Sequence, residues 1–525
     1  MKYDLLTHIR NSRQIAGNKT ALIFEKQNYS YEKLDSMISN TSRLMYSDGF
    51  GKTDRVVICC GNRVETVVSF WAVAELGGCI SVISDEQSPE LMKYILNDCD
   101  AKVLVIRGDL LEQLSQHKLE ETQLNKIIVT ETSADDRLPS LGTIELVRFE
   151  ELATAEMPEF NVISEDIAAL IYTSGSTGQP KGVTLSHANM MCALDSLNTY
   201  LGNREEDVFL NVLPLSFDYG LYQMIMCYSK GATLVLEKNL IWPLQLLKAI
   251  QEYQVTVLPG VPAVFDLIEK FGKLSKFNLD SVRYVSNTGA ALMGRHFEII
   301  QKHFKNAAVF SMYGLTECKR CTYLPPEFID TKRASVGVAI PNTEISVINE
   351  TGGICEPHEI GQLVVRGGTV MQGYWNKPEK TAEKIGPHPI HGGRCLFTGD
   401  YGYLDEDGFF YFKGRIDEVV KIRGMKVLPL EIEAYLIQHE SIGEAAIIAI
   451  EHGDRDPEIV AFVETSDAMA ELEVQRFCKK QLKAYQIPER IYFLKKMPRN
   501  TNGKIDKPEL RLLLENLDSE QQATV

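Results

Sequence analysis

Residues Ala168 to Asn189 read AALIYTSGSTGQPKGVTLSHAN. An apolar run ending at Tyr172 enters a loop of Thr173, Ser174, Gly175, Ser176, Thr177, Gly178 and Lys181, and a helix is expected to start near Ser186. Hydroxyls, glycines and one lysine between strand and helix suit a phosphate cradle. Glycines let backbone N–H groups approach oxyanions, and the hydroxyls and ammonium donate to them. The loop is not a P-loop, which requires G-x-x-x-x-G-K-[ST]; here the fifth residue after Gly175 is Pro180, and Lys181 is followed by Gly182. The same residues could equally form a plain surface loop.

Outward from this stretch, short β-branched runs alternate with segments of helical period. Arg55 to Cys60, Lys102 to Ile106, Lys126 to Thr130, Phe209 to Leu213, Ala232 to Leu236, Val255 to Leu258 and Val282 to Ser286 predict strands. Val64 to Leu76, His187 to Leu201 and Pro243 to Gln254 predict helices. The alternation predicts an α/β fold with buried parallel strands. From about residue 335 to 416, glycines, the acidic turn Asp405-Glu406-Asp407-Gly408 and the aromatic strand Phe409 to Phe412 predict a β-rich subdomain. A second change in texture at Arg415-Ile416-Asp417 divides a large N-terminal domain, 1–416, from a small α/β domain, 417–525, whose polar tail Leu517 to Val525 is expected to fray.

Composition narrows the function. The chain has 525 residues, and 55 Lys+Arg against 71 Asp+Glu gives a formal charge of −16. At about 150 residues per domain that is several folding units, and the acidic balance argues against a protein that neutralises a nucleic-acid backbone. Asp4, His8 and Arg10 interrupt any N-terminal signal segment. The most apolar stretch, Val67 to Ile83, is too short to cross about 30 Å of hydrocarbon. A cytoplasmic chain without a membrane span is expected. The eleven cysteines are scattered and odd in number, unlike a disulfide framework. Cys318 and Cys321 form a C-x-x-C with no partner motif at zinc-ligand spacing, so two small buried side chains are the simpler reading.

The string YTSGSTGQPKG resembles the signature loop of the adenylate-forming superfamily, which includes acyl-CoA synthetases, amino-acid adenylation domains and luciferases. Four further segments resemble that family's motifs in the same order: SMYGLTE (Ser311 to Glu317), FTGD (Phe397 to Asp400), GRIDEVVKIRG (Gly414 to Gly424) and PRNTNGKIDK (Pro498 to Lys507). The resemblance implies that Thr173 to Gly178 and Lys181 hold phosphates. It implies that Tyr313 stacks on adenine beside Gly314, Thr316 touches the α-phosphate and Glu317 holds Mg²⁺, chemistry that suits an aromatic face and a hard cation. By the same resemblance Asp400 takes the ribose diol, Arg415 contacts ribose or phosphate, Asp417 is the hinge of a mobile C-terminal domain, and Lys504 is the catalytic lysine of adenylation. Without that context Asn502-Gly503 is a turn and Lys504 an incidental lysine.

The implied reaction has two halves: a carboxylate attacks the α-phosphate of Mg-ATP to give acyl-AMP and pyrophosphate, then a thiol takes the acyl group. No enzyme nucleophile is required, because positioning and charge stabilisation carry the chemistry. The resemblance places the acid pocket at Asp218, Tyr219, Tyr222, Gly260, Ser286, Thr288, Gly289, Met312, Arg320 and Cys321. Asp218 falls where amino-acid adenylation domains pair the substrate ammonium; its bland alternative is a helix N-cap. An amino acid and a small or medium acyl acid both remain open. Lys319-Arg320 stands where the family usually has small or apolar residues, and a charged pair is expected to face solvent. If Arg320 instead faced the pocket, it would favour a substrate with a second carboxylate. The thiol is that of coenzyme A or of phosphopantetheine on a separate acyl or peptidyl carrier protein, for which Lys479-Lys480, Lys483 and Lys495-Lys496 offer a basic patch.

Overall fold

A computed structural model of the chain describes residues 4–7, 17–46, 50–132, 138–173, 179–239, 242–272, 274–422, 425–452, 455–465, 467, 469–499 and 505–523. The chain packs as two compact units, Met1–Ile345 with Val365–Phe397, and Ser346–Val364 with Thr398–Val525.

Two large sheets build the first unit. Among the described residues one sheet has nine strands, and at its centre Thr233–Leu236, Val208–Asn211, Val257–Gly260, Tyr284–Asn287 and Ala308–Tyr313 run parallel in that spatial order. Thr322–Leu324 and Val338–Ala339 close one edge antiparallel. The other sheet has eight strands, with Ile167–Thr173, Cys79–Val82, Arg55–Cys59, Val103–Arg107, Lys126–Thr130 and Glu145–Arg148 parallel. Strands buried on both faces read as continuous apolar runs, and Val56, Val57, Ile58 and Cys59 are all without exposure. The seven predicted strands and three predicted helices lie where the sequence placed them, within about two residues at either end.

Helices fill the space between the sheets. Val64–Glu75, His187–Leu201 and Asp218–Ser229 contribute Trp71, Met190, Leu194, Tyr219 and Tyr228 to one core, which also takes Val56 and Val105 from one sheet and Phe209, Leu234 and Val257 from the other. Every residue from Asp218 to Tyr228 is buried. A helix without a solvent stripe must be covered on all sides, and full burial of each large apolar side chain contributes about 1.5–3 kcal/mol.

Two local expectations are corrected. The helix does start at the expected Ser186 cap, but a strand precedes it: Thr173 pairs in register with Lys181 at the start of an antiparallel strand, Lys181–Ser186. The helix His187–Leu201 begins only after that strand, with Ser186 and Asn189 forming a reciprocal capping box. The loop therefore joins two strands, and the alternation Val183, Leu185 against Thr184, Ser186 is the strand period that signals it. The polar tail is helical rather than irregular as far as Ala523, the end of the last helix, Lys507–Ala523.

In the second unit, the part of the Arg394–Leu404 strand from Asp400 onward pairs with Phe410–Arg415. Asp405 Oδ1 accepts from the amides of Asp407 (3.1 Å) and Phe409 (2.9 Å), which fixes the acidic turn between them. A hairpin, Val420–Ile422 with Met425–Val427, precedes the helix Pro429–Leu436. Glu444–His452, Arg455–Glu464 and Arg490–Leu494 then form a three-stranded sheet. Among the described residues no helix is long and apolar enough to cross a membrane.

Candidate active site

In an open parallel sheet the carboxyl ends of adjacent strands leave a crevice where ligands bind. Three neighbouring strands of the nine-stranded sheet end at Gly260, Asn287 and Tyr313. Gly260 pairs with Asn287, and Asn287 with Ser311. The strand ends thus bring Gly260, Ser286, Thr288, Gly289, Met312, Tyr313 and Gly314 to one rim of the sheet from three separate parts of the chain. Gly289, at φ +86°, takes a left-handed conformation that disfavours other residues.

The buried helix Asp218–Ser229 supplies the opposite wall. Tyr219 shares a hydrogen bond with Ser286 Oγ at 2.9 Å, which ties helix to strand end. Burial pushes the Tyr219 and Tyr222 hydroxyls up from the usual tyrosine range, so both are neutral walls. Met312 Sδ receives the Tyr200 hydroxyl at 2.9 Å, and Tyr200 stacks on Tyr323 with centroids 4.1 Å apart. Thr288 is buried.

Asp218 and Arg320 meet in this wall. Arg320 Nη1 donates to Asp218 Oδ2 at 3.3 Å and to the Lys319 carbonyl at 2.7 Å, and its guanidinium lies 5.2 Å from the Tyr219 ring centroid. Asp218 is the first residue of its helix and no side chain caps that terminus, so the N-cap reading is set aside. The expectation that Lys319 and Arg320 face solvent is overturned: their exposures are 1% and 4%. Lys319 Nζ lies 5.3 Å from the Tyr222 ring centroid and, among the described residues, has no hydrogen-bond partner. Burial, opposed by the Asp218 charge, brings its ammonium down to about 8.

The backbone holds this loop under load. Lys319 has φ +65°, a left-handed conformation that costs a side-chain-bearing residue about 1–2 kcal/mol. A Cβ on Gly314 would come 2.3 Å from the Lys319 carbonyl oxygen and 2.7 Å from Arg320 Cα. Gly314 is therefore the close-approach residue that lets the 319–320 loop fold back on the strand end. Cys318 and Cys321 flank the loop, both buried, with sulfurs 3.1 Å apart. Cys321 N donates to the Tyr313 carbonyl at 2.9 Å. Among the described residues no three His, Cys, Asp or Glu side chains gather as a metal site.

Tyr313, Thr316 and Glu317 remain partly exposed beside this pocket. Glu317 Oε1 accepts from the Tyr374 hydroxyl at 2.7 Å, and Lys181 Nζ lies 5.5 Å from the Tyr374 ring centroid. Tyr374 pairs with Val183 in the eight-stranded sheet, so it brings Lys181 of that sheet and Glu317, from the loop after the Ala308–Tyr313 strand, around one ring. Neither Tyr374 nor Tyr200 was singled out by sequence. Both lie far along the chain from their partners, and no local pattern marks them. One half-exposed carboxylate suits Mg²⁺, which keeps waters and takes its other oxygens from phosphates.

In the second unit, Arg415 Nη1 donates to Asp400 Oδ1 at 3.0 Å and Arg415 Nε to Asp417 Oδ1 at 3.0 Å. Asp400 and Arg415 face each other in register, so the paired strands themselves set this contact. Ser174, Gly175, Ser176, Thr177, Gly178 and Lys504 lie outside the described residues.

Residues 10–375 match the family model for AMP-binding enzymes, and residues 431–504 match that for the AMP-binding enzyme C-terminal domain. A 4-coumarate–CoA ligase of Vanilla planifolia is 32% identical over 482 residues, covering 89% of this chain and 85% of the relative. The o-succinylbenzoate CoA synthetase MenE of Bacillus subtilis, solved with its acyl-adenylate intermediate, superposes with a TM-score of 0.80 at 25% identity, covering 95% of this chain and 96% of that one. The same enzyme solved with ATP and magnesium ion gives 0.81 at 25% identity, with 95% and 98% covered. ATP-bound MatB of Rhodopseudomonas palustris shares the fold, with a TM-score of 0.86 at 24% identity and 98% and 100% covered. The chain belongs to the AMP-binding enzyme family and is an AMP-forming acid–thiol ligase.

Proposed function

We propose that this ligase activates a small or medium acyl acid with Mg-ATP as acyl-AMP, releases pyrophosphate, and transfers the acyl group to the thiol of coenzyme A. The observation that carries this reading is the packing of Asp218, Tyr219, Ser286 and Arg320 into one wall at the strand ends, next to the partly exposed Tyr313 to Glu317. The coenzyme A ligases among its relatives support the acceptor.

The charge pattern favours an acyl acid over an amino acid. Asp218 is already paired with Arg320. An α-ammonium claiming that carboxylate would strand a buried guanidinium, and breaking a buried pair by losing one partner costs about 3–5 kcal/mol.

In this reading Tyr313 presents its ring to adenine, and Thr173 to Gly178 with Lys181 surround the phosphates. Asp400, oriented by Arg415, accepts from the ribose hydroxyls. Glu317, oriented by Tyr374, would hold Mg²⁺, whose charge offsets that of the phosphates during attack. Lys504 places a positive charge between the attacking carboxylate and the α-phosphate, an electrostatic contribution of several kcal/mol in a water-poor site. Between the half-reactions the C-terminal part from residue 417 turns about Asp417, withdrawing Lys504 and admitting the pantetheine thiol.

Lys504→Ala separates binding from chemistry. Acid-dependent pyrophosphate release is expected to fall at least a hundredfold while ATP binding stays within a few-fold, as for a group acting mainly in the transition state. Unchanged release would remove Lys504 from the mechanism.

A further inference from the structure

We propose that Lys319 and Arg320 form an anion-recognition site in the acid pocket, so that the acid this ligase takes carries a second carboxylate. The proposal rests on the reading of the pocket given above and names its substrate class.

The buried charges do not balance. Asp218 and Arg320 satisfy one another, at 6% and 5% side-chain exposure. Lys319 beside them is 1% exposed, and among the described residues its ammonium meets the face of Tyr222 and no hydrogen-bond acceptor. Arg320 Nε is a second buried donor without a partner among the described residues. Buried cations are ordinarily paired, and donors left without acceptors carry their full desolvation penalty. Two donors from adjacent residues on one wall are a recognition set that lacks its acceptor.

The backbone supports the same conclusion. A lysine in the left-handed region is a strained choice for a loop that needs only to turn, and such strain concentrates at ligand clamps. Gly314 holds the strained loop against the strand end by close approach. The walls limit size: Tyr219, Tyr222 and Met312 are large and buried. A carboxylate at the far end of a short acid would accept from Lys319 Nζ and Arg320 Nε while its other carboxylate reaches the α-phosphate.

The test uses the full-length enzyme, with acid-dependent pyrophosphate release measured for matched pairs: succinate, glutarate, adipate and suberate against butyrate, pentanoate, hexanoate and octanoate, and 4-carboxycinnamate against cinnamate. At least one diacid should exceed its monoacid in kcat/KM by tenfold or more. Lys319→Met, which keeps shape and removes charge, should bring that ratio near one, chiefly through KM. Lys319→Arg should retain a preference. Diacids no better than monoacids throughout, or a Lys319→Met variant with the wild-type ratio, would overturn the proposal. Calorimetric titration of the same acids without ATP gives a second reading. Diacid binding lost in a folded Lys319→Met protein supports the site even if no acid elicits pyrophosphate, in which case only the ligase assignment fails. Absence of tighter diacid binding in the wild type counts against the site.

Discussion

Lys319 shows how one side chain sets measurable behaviour. Its ammonium is brought down to about 8 from 10.5, first by burial and by the Arg320 charge, against the raising influence of Asp218, Cys318 and Glu317, with the Tyr222 ring over it. A lysine whose folded pKa is depressed binds fewer protons folded than unfolded. The fold therefore loses stability as pH falls from about 10.5 to about 8, and below that range the full penalty is present. Lys319→Met removes the titrating group, so its unfolding free energy from urea titration at pH 7 should exceed the wild-type value by on the order of a few kcal/mol, with a higher midpoint, and the gap should close toward pH 10. Equal midpoints at pH 7 would show that the ammonium is not penalised. Arg320→Ala should act oppositely, stranding Asp218 and lowering stability by about 3–5 kcal/mol in the same titration. Sequence pointed to Asp218 and Arg320 but not to their contact, since a charged pair defaults to solvent and its partner lies 102 residues away. The direction of a side chain is a tertiary property that local pattern does not encode.

Elements were more legible where burial acts on both faces. Continuous β-branched runs such as Val56 to Cys59 and Val103 to Ile106 announce parallel strands because nothing on either side is wet. The Lys181–Ser186 strand was missed. Its alternation is short, it follows a run of glycine and proline, and the capping signal at Ser186 marks only the helix that comes after it. Gly314 tests the element-level account of the pocket. Gly314→Ala places a methyl group against the Lys319 carbonyl, where only backbone movement makes room. The 319–320 loop should shift, and kcat/KM for the acid should fall by tenfold or more, mostly in KM, while KM for ATP changes less. An unaltered KM for the acid would show that this close approach does not position the pocket.

At the scale of the molecule, two sheets with three helices between them carry the proposed acid pocket and the Tyr313 to Glu317 segment in one unit, while Asp400, Arg415 and Asp417 belong to the other. The order of the motifs along the chain was readable as sequence because strand ends and tight turns need particular residues locally. The acid was not readable, because the pocket proposed for it draws on segments around residues 218, 260, 286 and 320 that meet only in the folded unit. The central claim is that one acid and one ATP give one thioester, one AMP and one pyrophosphate. Incubation with the preferred acid, ATP and coenzyme A, followed by chromatographic quantification of nucleotides and thioester, should show AMP and acyl-CoA rising in equal amounts, with none formed when acid is omitted. ADP as the nucleotide product, or AMP release independent of acid, would contradict the account.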